Sequence, residues 1–381
     1  RVLFRSWEAI KELKSALKKL TPVAQVKMKK VKADGSYSYA TSPAENAEVH
    51  RKHLVELYSR KEVCDERVLE WIPQQEILTS LDDAPGDAEI KKAVSRLNLS
   101  SPGKSKITAA MVKSLLHDRE TFELIKDYVR DFWEHEVAPE SWLLGVLKIL
   151  PKKGDLGLPK NWRGITLGEI LYKVVATIIM SRLEVISAKL PHEAQVGFRP
   201  KRGSRDGIFN VRQAFRKRHE HGAETWVLFL DLVKAFDRVP RSFLWKVLGR
   251  LGVPPKLLRL LKVLHTDVTV EFTCQEVKLV MDSLIGVKQG DILGPILFVL
   301  YICGIMMSFK KKHPNNQACV FRTKKDFQMR GRSSKHGGTW IPTGGSRNGV
   351  HSVPIVDSEY ADDCGVMFPD DEELRYYTPL L

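Results

Sequence analysis

A mixed α/β fold is what this sequence predicts, and three observations predict it. Strand-length apolar runs such as "WVLFL" (226–230) and "VKLVM" (277–281) recur between longer stretches with helical spacing. "GITLGEILYKVVATIIMSRLEVI" (164–186) and "GPILFVLYICGIMMSF" (294–309) are apolar over lengths that only helices reach. "EYADDCGVMF" (359–368) sets two adjacent aspartates into an otherwise apolar run, as at the tip of a strand hairpin.

In chain order, residues 1–95 read as a mainly helical N-terminal extension. "SWEAIKELKSALKKL" (6–20) puts Trp7, Ile10, Leu13, Leu17 and Leu20 on one helical face. "KADGSYSYATSPAE" (32–45) is turn-rich and predicts a loop. "DAEIKKAVSRLNLSSPGKSKI" (87–107) starts as an amphipathic helix and ends in a Ser-Pro-Gly turn. Residues 108–190 alternate helix, extended element and helix, with "WLLGVLKILPKKGD" (142–155) apolar up to Pro151 and basic after it. "SRDGIFNVRQAFRKRHE" (204–220) predicts a helix with Ser204 near its N-cap. "TWVLFLDLVKAFDRV" (225–239) opens as a buried strand that delivers Asp231 at its end. A helix over 240–251 begins at Pro240 and is followed by Gly252, a second runs from Pro254 to about His265, and strands follow over 268–272 and 277–281. Pro295 is expected to open the helix of 294–309.

The chain has 381 residues, 43% hydrophobic and 28% charged, the balance of an ordinary globular protein. Its formal charge of +15 favours a polyanionic partner, nucleic acid ahead of a membrane surface. No segment approaches 18 uninterrupted apolar residues, so no transmembrane helix is expected. Five scattered cysteines without a C-x-x-C pair argue against a disulfide scaffold or zinc module and for a reducing compartment. Since the chain starts at Arg1, it is expected to be a piece of a longer reading frame.

Ionised carboxylates side by side repel, so Asp362 and Asp363 need a reason to be there. Asp is a common turn residue, and a plain polar hairpin tip is one reason. The other is a cation: strands paired in one sheet would bring Asp231 to the pair although 131 residues separate Asp231 from Asp362. Such carboxylates make a hard oxygen site suited to magnesium. Two ions about 3.5–4 Å apart would activate a hydroxyl and stabilise a leaving phosphate oxygen.

"LDLVKAFDRV" (230–239), "GVKQGDILGPILF" (286–298) and "YADD" (360–363) occur in that order and together resemble the palm motifs of reverse transcriptases, most closely those of LINE-type (non-LTR) retrotransposons. "ILPKKGDLGLPKNWRGITL" (149–167) resembles the fingers segment of that family and "QVGFRPKRGSRDGIF" (195–209) its GFR loop. The resemblance spans roughly residues 95–370. It implies a right-hand polymerase core with fingers and an antiparallel palm sheet carrying Asp231 and the 362–363 hairpin, backed by the 240–251 and 294–309 helices. The expected organisation is an extension over 1–95, fingers over 96–222, palm with motifs A and B over 223–309, a basic Gly/Ser-rich insertion over 310–352, and the catalytic hairpin over 353–381 with a truncated C-terminus and no thumb.

Carried over by position, the resemblance implies that Asp231 and Asp362 hold two Mg²⁺ ions, with Mn²⁺ as a substitute, and that Asp363 is the third catalytic carboxylate. Phe236 would form the wall under the incoming sugar, where an aromatic ring offers a ribose 2′-hydroxyl neither space nor a hydrogen-bond partner. Plain core packing is the other reading of Phe236. Gln289 and Gly290 would lie over the nucleotide, while Asp291 is assigned only to the helix start. Arg163 would contact the triphosphate, with Lys152 or Lys153 beside it; a solvated basic loop is the alternative for the two lysines. Arg199, Lys201, Arg202 and Arg205 would track the RNA template, in a stretch (199–218) holding eight Lys/Arg and one Asp.

Two departures from the family stand out. "PGKSKI" (102–107) lacks the aspartate and second glycine of the family's P-G-x-D-G. Residues 310–350 carry ten Lys/Arg against one Asp where the family's connection is shorter, either a further nucleic-acid contact or an insertion without a role. The expectation is an RNA-directed DNA polymerase acting on an RNA template, a DNA primer and deoxynucleotides, intracellular, in nucleus and cytoplasm. A catalytically inactive nucleic-acid-binding remnant is the alternative. An RNA-dependent RNA polymerase is disfavoured by Phe236.

Overall fold

The computed structural model describes residues 26–31, 35–59, 64–98, 100–190, 194–220, 222, 224–312, 319–321, 327–329, 340–342, 353–355, 357–360, 363–368 and 371–378. The helix expected over 6–20 lies outside them. The described chain is mixed α/β. Its helices of seven residues or more are α1 (Pro43–Tyr58), α2 (Asp87–Arg96), α3 (Arg119–His135), α4 (Ile170–Lys189), α5 (Ser204–Glu220), α6 (Arg241–Arg250), α7 (Pro255–Val263), α8 (Leu293–Lys312) and α9 (Asp371–Tyr377). The strands are β1 (Lys29–Val31), β2 (Tyr37–Tyr39), β3 (Leu144–Pro151), β4 (Trp162–Leu167), β5 (Trp226–Asp231), β6 (Thr269–Cys274), β7 (Val277–Asp282), β8 (Cys319–Phe321), β9 (Phe327–Met329), β10 (Trp340–Pro342), β11 (Val353–Ile355), β12 (Asp357–Tyr360) and β13 (Asp363–Phe368).

Several boundaries move from their expected places, each for a local reason. The loop expected over 32–45 contains β2, which pairs antiparallel with β1, and the first residues of α1. Alternation over only three residues is too short to register as a strand pattern in sequence. Residues 164–167 belong to β4 rather than to the following helix, because they pair with β3; α4 starts at Ile170. Pro295 is the third residue of α8, where a missing N–H costs nothing, and does not open it.

Two sheets organise the molecule. The first has the order β4-β3-β6-β7, with β3 antiparallel to β4 and parallel to β6. It therefore joins strands from both sides of residue 222. α1 lies across it, burying Leu54 and Ala47 with Leu147, Trp162, Phe272 and Met281. The larger core gathers α2, α3, α4, α6, α7 and α8 around Trp133, Phe132, Val174, Leu244, Leu260 and Leu297. α8 is long and apolar enough to cross a membrane by length and composition, but most of it is buried here, packed on α4 and α6. "PGKSKI" is pinned to the start of α4: Glu169 accepts from the Ser105 N–H at 2.9 Å, and Lys173 donates to Ser100 and Ser101 at 3.0 Å. Gly103 abuts Glu169 so closely that a Cβ there would sit 2.8 Å from its carboxylate.

The second sheet has the order β12-β13-β5, all antiparallel. Its pleat assigns the faces. Val227 and Met367 pack with Val211 and Ala214 of α5 on one side, while Leu228, Leu230, Val366 and Phe368 pack with Phe309 of α8 and Leu374 of α9 on the other. Of the two helices expected to back it, α8 contributes Phe309, and α9 lies along the same face. α6 packs on α8 and α7 instead, and α5 takes the sheet's other face. β5 is also less buried than its composition suggests: Phe229 is 72% exposed, because α5 covers only the far end of that face. Within 319–355, β8 pairs with β11 and β9 with β10. Arg330, Gly331 and Arg332 lie outside the described residues.

Candidate active site

β5 ends at Asp231 and β13 begins at Asp363, and the two residues are register partners. Directly opposed residues of an antiparallel pair point to the same face, so both carboxylates emerge beside each other. That face is the one α5 covers. Asp231 and Asp363 line a groove of about 550 Å³ with Phe229, Gly365, Ile208 and Arg212. Both are exposed. Tyr360 pairs with Asp363 across the hairpin; Ala361 and Asp362 between them lie outside the described residues. Among the described residues, no group of three His, Cys, Asp or Glu side chains is placed to hold a metal. The described donors are thus the two opposed carboxylates. Their chemistry fits a hard divalent cation, since like charges held directly opposite are otherwise destabilising.

After Asp231 the chain turns through Lys234, whose φ of +54° is rare for a side-chain-bearing residue, into a short 3₁₀ turn over Phe236–Arg238. The loop over 286–290 is laced to this turn. Gly286 N–H donates to Val239 O and Val287 N–H to Phe236 O, both at 2.9 Å. At its other end Thr166 N–H of β4 donates to Gln289 O at 2.8 Å. Two glycines make this possible. Gly286 (φ +80°) leaves 2.6 Å between a built Cβ and Asp237 O, and Gly290 (φ +99°) leaves 2.8 Å to Thr166 O. The close approach demanded of Gly290 is therefore to the backbone of β4. Asp291 accepts from Leu293 N–H at 3.3 Å, as a helix-start residue does, and from the Tyr172 hydroxyl as well.

Phe236 is half-buried. Its ring stacks on Phe298 at 4.4 Å between centroids and meets Phe198 edge-on at 6.1 Å. Phe198 comes from the 195–209 segment, which is itself fastened to the carboxylate sheet. Val196 N–H donates to Glu359 O, and Glu359 N–H to Ala194 O, both at 2.9 Å. Gln195 adds a side-chain bond to the buried Glu359 carboxylate at 3.2 Å. Downstream, Arg199 donates to Gln195 O at 3.3 Å, while Lys201 and Arg202 are exposed on the approach to α5 and Arg205 is exposed in its first turn.

Arg163, Lys152 and Gln289 line one narrow cavity, together with His53, Lys234, Asp237 and Tyr58. Lys153 does not line it. Burial dominates the electrostatics there. It lowers Lys234, raises Asp237, raises the Tyr58 hydroxyl, and with help from Lys234 brings His53 down to about 4. Lys288, at the back of the same loop, is lowered by burial to about 8.

Reasoning from sequence missed Lys234 and Asp237, although both stand inside "LDLVKAFDRV", and Phe198, inside "QVGFRP". It missed His53 because nothing near that residue in the chain marks it; only the packing of α1 on the four-stranded sheet carries it there.

Comparison with known proteins gives the family. A family model described as "Reverse transcriptase (RNA-dependent DNA polymerase)" matches residues 150–377. The chain is 33% identical over 156 residues to an uncharacterized protein of transposon TX1 from Xenopus laevis, covering 37% of this chain and 12% of that protein. It is 30% identical over 214 residues to a Retrovirus-related Pol polyprotein from type-1 retrotransposable element R2 of Popillia japonica, covering 55% and 29%. Over 317 residues it is 23% identical to a probable RNA-directed DNA polymerase from transposon X-element of Drosophila melanogaster, covering 77% and 32%. The chain spans less than a third of the length of each of these relatives. With 228 of its 381 residues inside the family match (377 − 150 + 1), the chain belongs to the reverse transcriptase (RNA-dependent DNA polymerase) family, as a domain of the kind that non-LTR retrotransposons carry.

Proposed function

We propose that this chain is the fingers-and-palm core of a retrotransposon reverse transcriptase and copies RNA into DNA from a DNA primer. The observation that carries the reading is the register of Asp231 against Asp363, with Lys234 and Asp237, a few residues further along the chain, lining one cavity with Lys152, Arg163 and Gln289. In this reading the three-stranded sheet is the palm. Asp231 and Asp362 hold two Mg²⁺ ions, with Asp363 as the third carboxylate, and the ions supply charge neutralisation at the reacting phosphate.

The chain's own residues do the rest. Lys152 and Arg163 hold the triphosphate, a task suited to a compact ammonium and a forked guanidinium respectively. Gln289, positioned by its carbonyl's bond to Thr166, faces the nucleotide, and Phe236, braced by Phe298, walls off the 2′ position. Arg199, Lys201, Arg202 and Arg205 grip the template backbone. Such work belongs in the nucleus and cytoplasm.

Primer extension on an RNA template with deoxynucleotides and Mg²⁺ tests the reading. Asp231→Ala is expected to reduce extension by at least ~10²-fold, the order of a lost electrostatic contact to the transition state. Extension that survives Asp231→Ala would remove Asp231 from the reaction, and RNA binding with no extension by the parent chain would leave the protein a nucleic-acid-binding domain.

A further inference from the structure

We propose that His53, on the N-terminal helix α1, is a polyphosphate-binding residue: it completes an anion pocket with Lys152, Arg163 and Lys234 and takes up a proton as the anion enters. The proposal rests on the polymerase reading and adds to it a group from outside the reverse transcriptase motifs.

Three observations converge on His53. It lines the narrow cavity of about 40 Å³ that Lys152, Arg163, Lys234 and Gln289 also line. It lines as well a cavity of about 740 Å³ on its other side, and the two cavities share His53, Pro159 and Lys160 in their walls. Its Nε2 lies 3.5 Å from Lys234 Nζ. That contact requires a neutral imidazole, because a protonated one would face the ammonium with a second donor.

The charges around His53 explain why an anion belongs there. Lys234 reaches it from the turn after β5, Lys152 from the end of β3, Arg163 from β4 and Lys160 from the turn before β4. Among the described residues, Glu56 of α1 and Asp237 of the 3₁₀ turn oppose them, and on the side of the wide cavity Glu45 and Glu48 stand with Lys29, Lys30 and Lys52. Burial and this crowding hold His53 neutral and lower Lys234. Lys234 keeps its place although φ +54° costs about 1 kcal/mol or more for a non-glycine residue. A cluster of cations collected in a partly desolvated recess is complementary to a multiply charged anion. Such an anion reverses the field at His53, and the imidazole then gains a proton and a charge-assisted bond to it.

Calorimetric titration of the full chain with inorganic tripolyphosphate, without metal, tests this at pH 6 and pH 8. The parent is expected to bind about tenfold more tightly than His53→Asn at pH 6, the worth of one charge-assisted hydrogen bond, with the gap narrowing at pH 8. The ligand's own titration cancels in that ratio. His53→Lys, a fixed cation, should retain the affinity and lose the pH dependence of the ratio, which guards against a variant that merely misfolds. Equal affinities at both pH values, or no binding by the parent, overturn the proposal. Primer extension that persists while His53→Asn binds like the parent sinks His53 alone and spares the polymerase. Binding that depends on His53 in a chain without extension leaves the anion pocket standing and removes the polymerase.

Discussion

Arg241, at the start of α6, offers the most exacting test of how the 286–290 loop is held. Its side chain is only 9% exposed, yet all five of its N–H groups find acceptors. Nε donates to Gly286 O at 2.8 Å. Nη1 donates to His265 O at 2.7 Å and Ser283 O at 2.6 Å, and Nη2 to Ser283 Oγ at 3.0 Å and Ile285 O at 3.3 Å. Burial lowers the guanidinium to about 10, so it remains charged at neutral pH. Arg241→Met keeps the approximate bulk and removes every donor, leaving four carbonyls in the interior without this partner. At roughly 1 kcal/mol for each, the loss is about 4 kcal/mol, a large part of a typical domain's stability. Urea unfolding followed by circular dichroism should show the midpoint falling by about 1–2 M. Arg241→Lys, which keeps the charge and fewer donors, should fall between the two. Since Gly286 and Ile285 lead directly into Gln289, the nucleotide KM in primer extension should rise in the same order. A midpoint for Arg241→Met within about 0.3 M of the parent would refute the reasoning.

Phe236→Ala opens the wall that Phe298 braces, and discrimination against ribonucleotides should fall about 10²-fold, read as the ratio of kcat/KM for deoxy- and ribonucleotide; an unchanged ratio returns Phe236 to plain packing. Replacing Lys201, Arg202 and Arg205 together by glutamine should flatten the plot of log affinity for RNA against log salt by roughly 0.7 for each phosphate no longer neutralised, and a parallel plot would remove them from the interface. His50, buried edge-on between Trp162 and Phe272, has its folded value lowered by burial to about 4 against an ordinary 6.5. The unfolded chain therefore binds the proton first, so this stability is complete above pH 6.5 and is lost as pH falls towards 4. The loss by pH 4.5 is about 2–3 kcal/mol, and His50→Phe should shrink the difference between unfolding midpoints at pH 7.5 and 4.5.

Much of this protein is legible in its sequence, for a physical reason. Helix and strand periodicity are local properties, so α5 is found at Ser204–Glu220 and β6 and β7 within two residues of where the pattern puts them. The ordered phrases around Asp231, Gln289 and Asp363 are local too, and they name the family. What the sequence leaves open depends on pairing between distant segments. Only the antiparallel register sets Asp231 opposite Asp363. Only the parallel pairing of β3 with β6 draws strands from both sides of residue 222 into one sheet. His53 reaches Lys234, 181 residues away, because α1 packs across that sheet. No periodicity encodes a contact of that kind. It arises when apolar faces formed far apart in the chain are buried together, and the charged groups on their margins are carried along.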